Sequence, residues 1–147
     1  MGLEMDVAVR AFVAGFPSFM LHGGLTLALL FAGVVIHVLM TPMKEMRLIQ
    51  DGNTAAGIGV AAVVIGLAVP MSACLVSATS VYDLLIWGVI AILLQMLAFR
   101  VADMVLRDLP ARIERDEIGA ALVLAAVKIG AAMVMAAALW DPNLGRL

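Results

Sequence analysis

Residues 118–140 read IGAALVLAAVKIGAAMVMAAALW, an apolar run interrupted by one charge, Lys128. A run of this length is what an α-helix needs to cross a hydrocarbon core of roughly 30 Å. Three more such runs lie upstream, at about Phe19 to Met40, Thr54 to Val76 and Val81 to Val101. Thr41-Pro42 ends the first, and Asp141-Pro142 follows the last. Lipid offers backbone groups no hydrogen-bond partners, so each run must be helical. Composition agrees: 65% of residues are apolar and 14% charged, against roughly half and roughly a quarter in a soluble chain. The expected fold is an all-α membrane protein of four transmembrane helices, one domain over residues 1–147.

The segment from about Leu3 to Gly15 mixes Glu4, Asp6 and Arg10 with Val7, Phe12 and Val13. It predicts a short helix lying at the membrane interface, broken from the first span at Phe16-Pro17, or else a frayed terminus. Acidic residues ahead of Arg10 do not suit a cleaved signal. Positive charge marks two connections. Lys44 and Arg47 lie between spans one and two; Arg107, Arg112 and Arg115 lie between spans three and four. The connection between spans two and three has no Lys or Arg, and the termini carry only Arg10 and Arg146. The positive-inside rule then predicts cytoplasmic charged loops and periplasmic termini. Tyr82, Trp87 and Trp140 fall at the outer interface in that arrangement.

The two halves match at an offset of 64 residues. Ile49, Ala56, Ala61, Ala62, Val63, Ile65, Gly66 and Ala68 recur as Ile113, Ala120, Ala125, Ala126, Val127, Ile129, Gly130 and Ala132. Leu21, Gly24, Leu29 and Leu30 recur as Leu85, Gly88, Leu93 and Leu94. The pattern predicts two tandem helical hairpins, about residues 16–76 and 80–140. With two spans each, they enter the membrane the same way round, as a parallel repeat. Ala62-xxx-Gly66 and Ala126-xxx-Gly130 allow close backbone approach, so spans two and four are expected to pack centrally, on each other or on a neighbouring subunit.

Asp51-Gly52-Asn53-Thr54-Ala55-Ala56, then Gly66-Leu67-Ala68-Val69-Pro70, Ser77-Ala78-Thr79-Ser80, Asp83-Leu84-Leu85-Ile86-Trp87-Gly88 and Gln95 follow in order. This set resembles the DUF350 (UPF0719) family of bacterial inner-membrane proteins, well over about 50–140 and loosely in the first span. The resemblance implies tandem two-helix units, an inner-membrane location and a link to envelope stress, without an established activity. Asp116-Glu117-Ile118 stands where the first half has Gly52-Asn53-Thr54, so the Asn is not repeated.

Polar groups in lipid are costly and each needs a reason. Lys128 sits mid-span, on a helical stripe with Glu117, Ala121, Ala132 and Met135, too deep to reach either surface easily. Glu117 is eleven residues away, roughly 16 Å along a helix axis, so no direct ion pair forms. No acidic residue is expected at the depth of Lys128, and Gln95 is the nearest polar side chain in depth. Three readings stand open: a structural lysine bonded to Gln95 and backbone carbonyls, a lysine lining a polar cavity or oligomer pore, or a titrating lysine. Asn53 and Glu117 begin spans two and four and suit a helix N-terminus, by capping or by favourable interaction with the dipole; a cytoplasmic ligand or ion gate is the alternative. Asp83 or Ser80 suits the cap of span three. His22 and His37 are too far apart on one helix to share a metal and are expected at opposite interfaces. Pro70, one turn after Gly66, predicts a kink. Arg107 to Glu117 reads as a solvated connection, with docking of a soluble partner or acidic headgroups as the alternative.

The lone Cys74 cannot form an internal disulfide, and a net charge of −2 gives no sign of nucleic-acid binding. No nucleophile–base pair, zinc spacing, phosphate loop or haem motif is present, so neither enzyme, cofactor nor metal site is expected. The expected function is an oligomeric inner-membrane scaffold in an envelope-stress or membrane-maintenance system, in contact with lipid, further copies and a soluble cytoplasmic partner. The alternative is a small oligomeric channel or transporter with Lys128 on its path.

Overall fold

A computed structural model of the chain describes residues 2–140; Asp141-Pro142 and Arg146 lie outside the described residues. Six helices follow in order: α1 (Gly2–Met40), α2 (Glu45–Gln50), α3 (Thr54–Ser77), α4 (Val81–Leu106), α5 (Leu109–Glu114) and α6 (Ile118–Leu139). The long helices α1, α3, α4 and α6 are each long and apolar enough to cross a membrane. Only residues 78–80 separate α3 from α4. Both other connections contain a short helix, α2 or α5, and both lie at the opposite end of the bundle. That end carries Lys44, Arg47 and the arginines of α5, and is called here the charged end.

Local chemistry explains the helix starts. Ser80 caps α4 by accepting from Asp83 N at 3.2 Å, while Asp83 accepts in return from Thr79 N at 3.2 Å. Asn53 caps α3 by accepting from Ala56 N at 2.7 Å. Glu117 occupies the corresponding position of α6, yet its side chain makes no cap bond. Arg112 at 2.6 Å and Arg115 at 2.8 Å hold that carboxylate instead and keep it below the usual carboxylate range, chiefly through their hydrogen bonds. Of the two expected roles of Glu117 the capping bond is not made, while its carboxylate does sit at the start of α6, where the helix dipole favours it.

The predicted break at Phe16-Pro17 is absent. α1 runs unbroken through Pro17, with the Phe12 and Phe16 rings 5.1 Å apart along one flank. Proline removes one donor, a loss that membrane helices tolerate. α4 runs five residues beyond the expected Val101, to Leu106. Its end is secured by Arg112 Nη1 donating to Leu106 O at 3.3 Å and by Asp103 accepting from Leu109 N at 2.9 Å. The stretch from Arg107 to Glu117 is likewise not a merely solvated connection, because Leu109 and Ile113 of α5 are fully buried. They join Met43, Ala55, Ala56, Phe99, Ala120, Ala121 and Leu124 in an apolar cluster.

α3 and α6 share the most extensive contact in the bundle, with α1 and α4 packed around them. The two small-residue pairs do not contribute alike. Ala62 and Gly66 are buried, whereas Ala126 and Gly130 are exposed. Helical geometry gives the reason: residues two before and two after Lys128 lie about 200° around the helix from it. With Lys128, Ala121, Leu124, Ala132 and Met135 facing inward, Ala126 and Gly130 must face out.

A reciprocal clamp closes the charged end. Asn53 Nδ2 donates to Ile113 O at 2.8 Å and to Glu114 O at 3.2 Å. Asp116, from the second half, accepts from Ala55 N at 2.7 Å in the first turn of α3. Gly52 and Asp116 both adopt positive φ, +88° and +58°. The left-handed region costs a non-glycine residue about 1–2 kcal/mol, and a hydrogen bond to a charged group contributes about as much in return. Asn53→Ala removes both a cap and the tie to α5. It is expected to lower the midpoint of thermal unfolding in detergent, followed by circular dichroism, by several degrees. Glu117→Gln, which weakens partly exposed ion pairs that contribute little, is expected to leave the midpoint nearly unchanged.

Candidate functional site

Lys128 is completely buried. Its Nζ donates to the main-chain oxygen of Gln95 at 3.4 Å and stands 5.8 Å from the centroid of the Phe99 ring. Gln95 answers through its side chain, with Nε2 donating to Gly66 O at 2.9 Å and Lys128 O at 3.1 Å. Two side chains therefore join the backbones of α3, α4 and α6 at one level. A Cβ on Gly66 would fall 2.7 Å from Gln95 Oε1, so a larger residue there must displace the Gln95 amide.

The site continues onto α1 and α2. His37, 2% exposed, sets its ring edge-on to Phe99 with centroids 5.5 Å apart. Thr41 Oγ1 donates to His37 O at 3.1 Å as α1 ends. Pro42 follows, Met43 is buried as an anchor, and α2 starts at Glu45 with that side chain turned into the bundle, 3% exposed. Glu45 Oε1 comes within 4.0 Å of His37 Nε2. Burial pushes the Glu45 carboxyl up to about 7, while the Lys128 ammonium pulls the other way. His37, Thr41, Glu45, Gln95 and Lys128 are the buried polar side chains of the described residues. Both ring nitrogens of His37, Glu45 Oε2 and Gln95 Oε1 find no hydrogen-bond partner among the described residues.

The structure brings Lys128 and Gln95 together, as their depths suggest, and leaves the other candidates elsewhere. Asn53 and Glu117 belong to the charged end, and Asp83 to the opposite end. His22 donates from Nδ1 to Ser18 O at 2.9 Å, on the stretch of α1 outside the cluster. One expectation is corrected. An acidic residue does share the surroundings of Lys128, because α2 folds Glu45 back into the bundle. His37 lies in the last turn of α1 near the charged end, as its position suggests, but its ring is enclosed by the bundle. Glu45, His37, Thr41 and Phe99 were therefore missed or discounted. The available signal was the apolar run of Met43, Met46, Leu48 and Ile49 immediately after Thr41-Pro42, which marks a connection returning to the core. Among the described residues no group of His, Cys, Asp and Glu suits a metal ion.

The raised carboxyl sets a direction for pH. A carboxyl whose folded value lies above its unfolded one contributes stability fully below the unfolded value, and that contribution fades as pH rises through about 7. Docking of α2 should therefore loosen as pH rises from about 4.5 to about 7 and change little above that. Amide hydrogen exchange in Glu45–Gln50, corrected for its intrinsic pH dependence, should accelerate over that range in the native chain. It should stay flat in Glu45→Gln.

The domain-of-unknown-function family DUF350 matches residues 11–139. The UPF0719 inner membrane protein YjfL of Escherichia coli K12 is 33% identical over 76 residues, which is 52% of this chain and 56% of that protein. The YjfL protein of Escherichia coli O157:H7 matches equally. The chain thus spans little more than half the length of the curated relatives it matches. No solved structure matches. With four apolar spanning helices, and a family match that covers all but the outermost residues of the bundle, the chain is a multi-pass membrane protein and belongs to the DUF350 family.

Proposed function

We propose that this protein is a non-catalytic assembly module of the bacterial inner membrane, serving envelope maintenance or envelope stress as an oligomer. The relative's inner-membrane name supports the location, and the lysine and arginine content of the α2 and α5 connections supports a cytoplasmic charged end with periplasmic termini. The observation that carries the reading is the enclosure of Lys128. It faces its own bundle on every side, so neither lipid nor a seam between subunits would meet it. A pore formed between copies would not be lined by this lysine. What the chain presents outward is apolar surface, including the exposed Ala126 and Gly130 of α6 and the N-terminal half of α1. A small-xxx-small pair facing lipid supports close packing of a second copy. The stretch from Arg107 to Glu117, with three arginines among four carboxylates, offers a mixed-charge face for a soluble partner.

The channel reading keeps one point in its favour, the unpartnered polar atoms around Lys128. Reconstitution separates the two. Under the assembly reading, liposomes containing the purified protein conduct neither monovalent cations nor chloride above protein-free vesicles, and Gly130→Leu lowers the oligomeric mass measured in nanodiscs. Ion flux abolished by Lys128→Met would establish the channel instead.

A further inference from the structure

Four polar side chains converge inside the bundle from four different helices: His37 of α1, Glu45 of α2, Gln95 of α4 and Lys128 of α6. Each is at least 97% buried. Burying one polar atom without a partner costs about 1–3 kcal/mol, and native proteins rarely leave several such atoms together. Here the unpartnered atoms are complementary in kind. Glu45 Oε2 and Gln95 Oε1 accept. The Lys128 ammonium carries three N–H bonds, of which one reaches an acceptor, at 3.4 Å. Either nitrogen of His37 can donate or accept, according to its proton. Groups of this kind that lie too far apart to bond directly, as His37 and Glu45 do at 4.0 Å, are joined by water in protein interiors.

We propose that His37, Glu45, Gln95 and Lys128 enclose a hydrated proton-binding site, filled by water and reached only from the charged end of the bundle. The ligand class follows from the donors. The ammonium opposes a metal cation and the carboxylate opposes an anion, whereas water and an exchangeable proton satisfy both. Every titratable group facing the site is accounted for: His37 from α1, Glu45 from α2 and Lys128 from α6. α3 has no charged residue, and α4 contributes Gln95 and Phe99.

Access follows from depth. On the far side of Gln95 the way is closed by Leu67, Met71 and Ile92, packed with Leu29 and Leu30. On the near side, Glu45 is only one residue removed from the surface, because Lys44 and Met46 on either side of it are exposed. Local opening of a six-residue helix is enough to exchange the water. The site is a dead end, with no path across the membrane. It stands independently of the assembly reading, since either a scaffold or a carrier can hold such a site.

Infrared spectroscopy of the whole protein in bilayers tests the proposal. A protonated-carboxyl stretch is expected that disappears in Glu45→Gln, shifts on transfer to D2O and titrates with bulk pH. If Glu45→Gln fails to fold, Glu45→Asp assigns the band by moving it. A carboxyl band that does not respond to D2O, or no such band at any pH, overturns the proposal. The direction of access is read from His37→Cys in a Cys74→Ser background with a membrane-impermeant thiol reagent. Labelling from the charged face alone supports the dead end. Labelling from both faces, or from neither in a folded variant, contradicts it.

Discussion

An ammonium in the middle of a membrane helix is the constraint around which this bundle is arranged. Inserting one costs about 2.5–3.5 kcal/mol at the helix centre, and its helix has no acidic residue within reach. The chain's answer is to rotate α6 until Lys128 faces α4, where the Gln95 carbonyl and the Phe99 ring receive it. That rotation determines much else. It buries Ala121, Leu124, Ala132 and Met135 and turns Ala126 and Gly130 toward the lipid. It also brings the Lys128 carbonyl to Gln95 Nε2, whose second bond to Gly66 O ties in α3.

The charged end solves a different problem with similar economy. Helices that start inside protein leave amide donors needing partners. Asn53 satisfies one donor of its own helix and two carbonyls of the other half, and Asp116 returns a carboxylate to the first turn of α3. The clamp holds α5 and the turn after it against the start of α3. With α2 in place, Glu45 is buried beside His37.

The spans were legible because lipid imposes one simple rule, a long apolar run for each helix, and the observed ends of α3 and α6 fall within a residue of those expected. The capping role of Asn53 and the inward stripe of Lys128 were legible from spacing. The length of α1 was not, because proline breaks soluble helices more reliably than membrane ones. The place of Glu45 was hidden because it depends on a turn at Thr41-Pro42 and on burial of Met43, both tertiary events. Position in sequence places an acidic residue in the loop; only packing puts it next to His37. The repeat at an offset of 64 predicted equivalent roles for Asn53 and Glu117, and different neighbours gave them different ones. Arg112 and Arg115 hold Glu117 away from its own helix cap.

The enclosure of Lys128 is tested most directly by solid-state NMR on the protein in lipid bilayers, with lysine side chains labelled at 15Nζ and glutamine carbonyls at 13C. A dipolar contact is expected between Lys128 Nζ and the Gln95 main-chain carbonyl, consistent with 3.4 Å from nitrogen to oxygen, with no transfer from lipid headgroups. Absence of that contact, together with headgroup or acyl-chain contacts at Lys128, would contradict it.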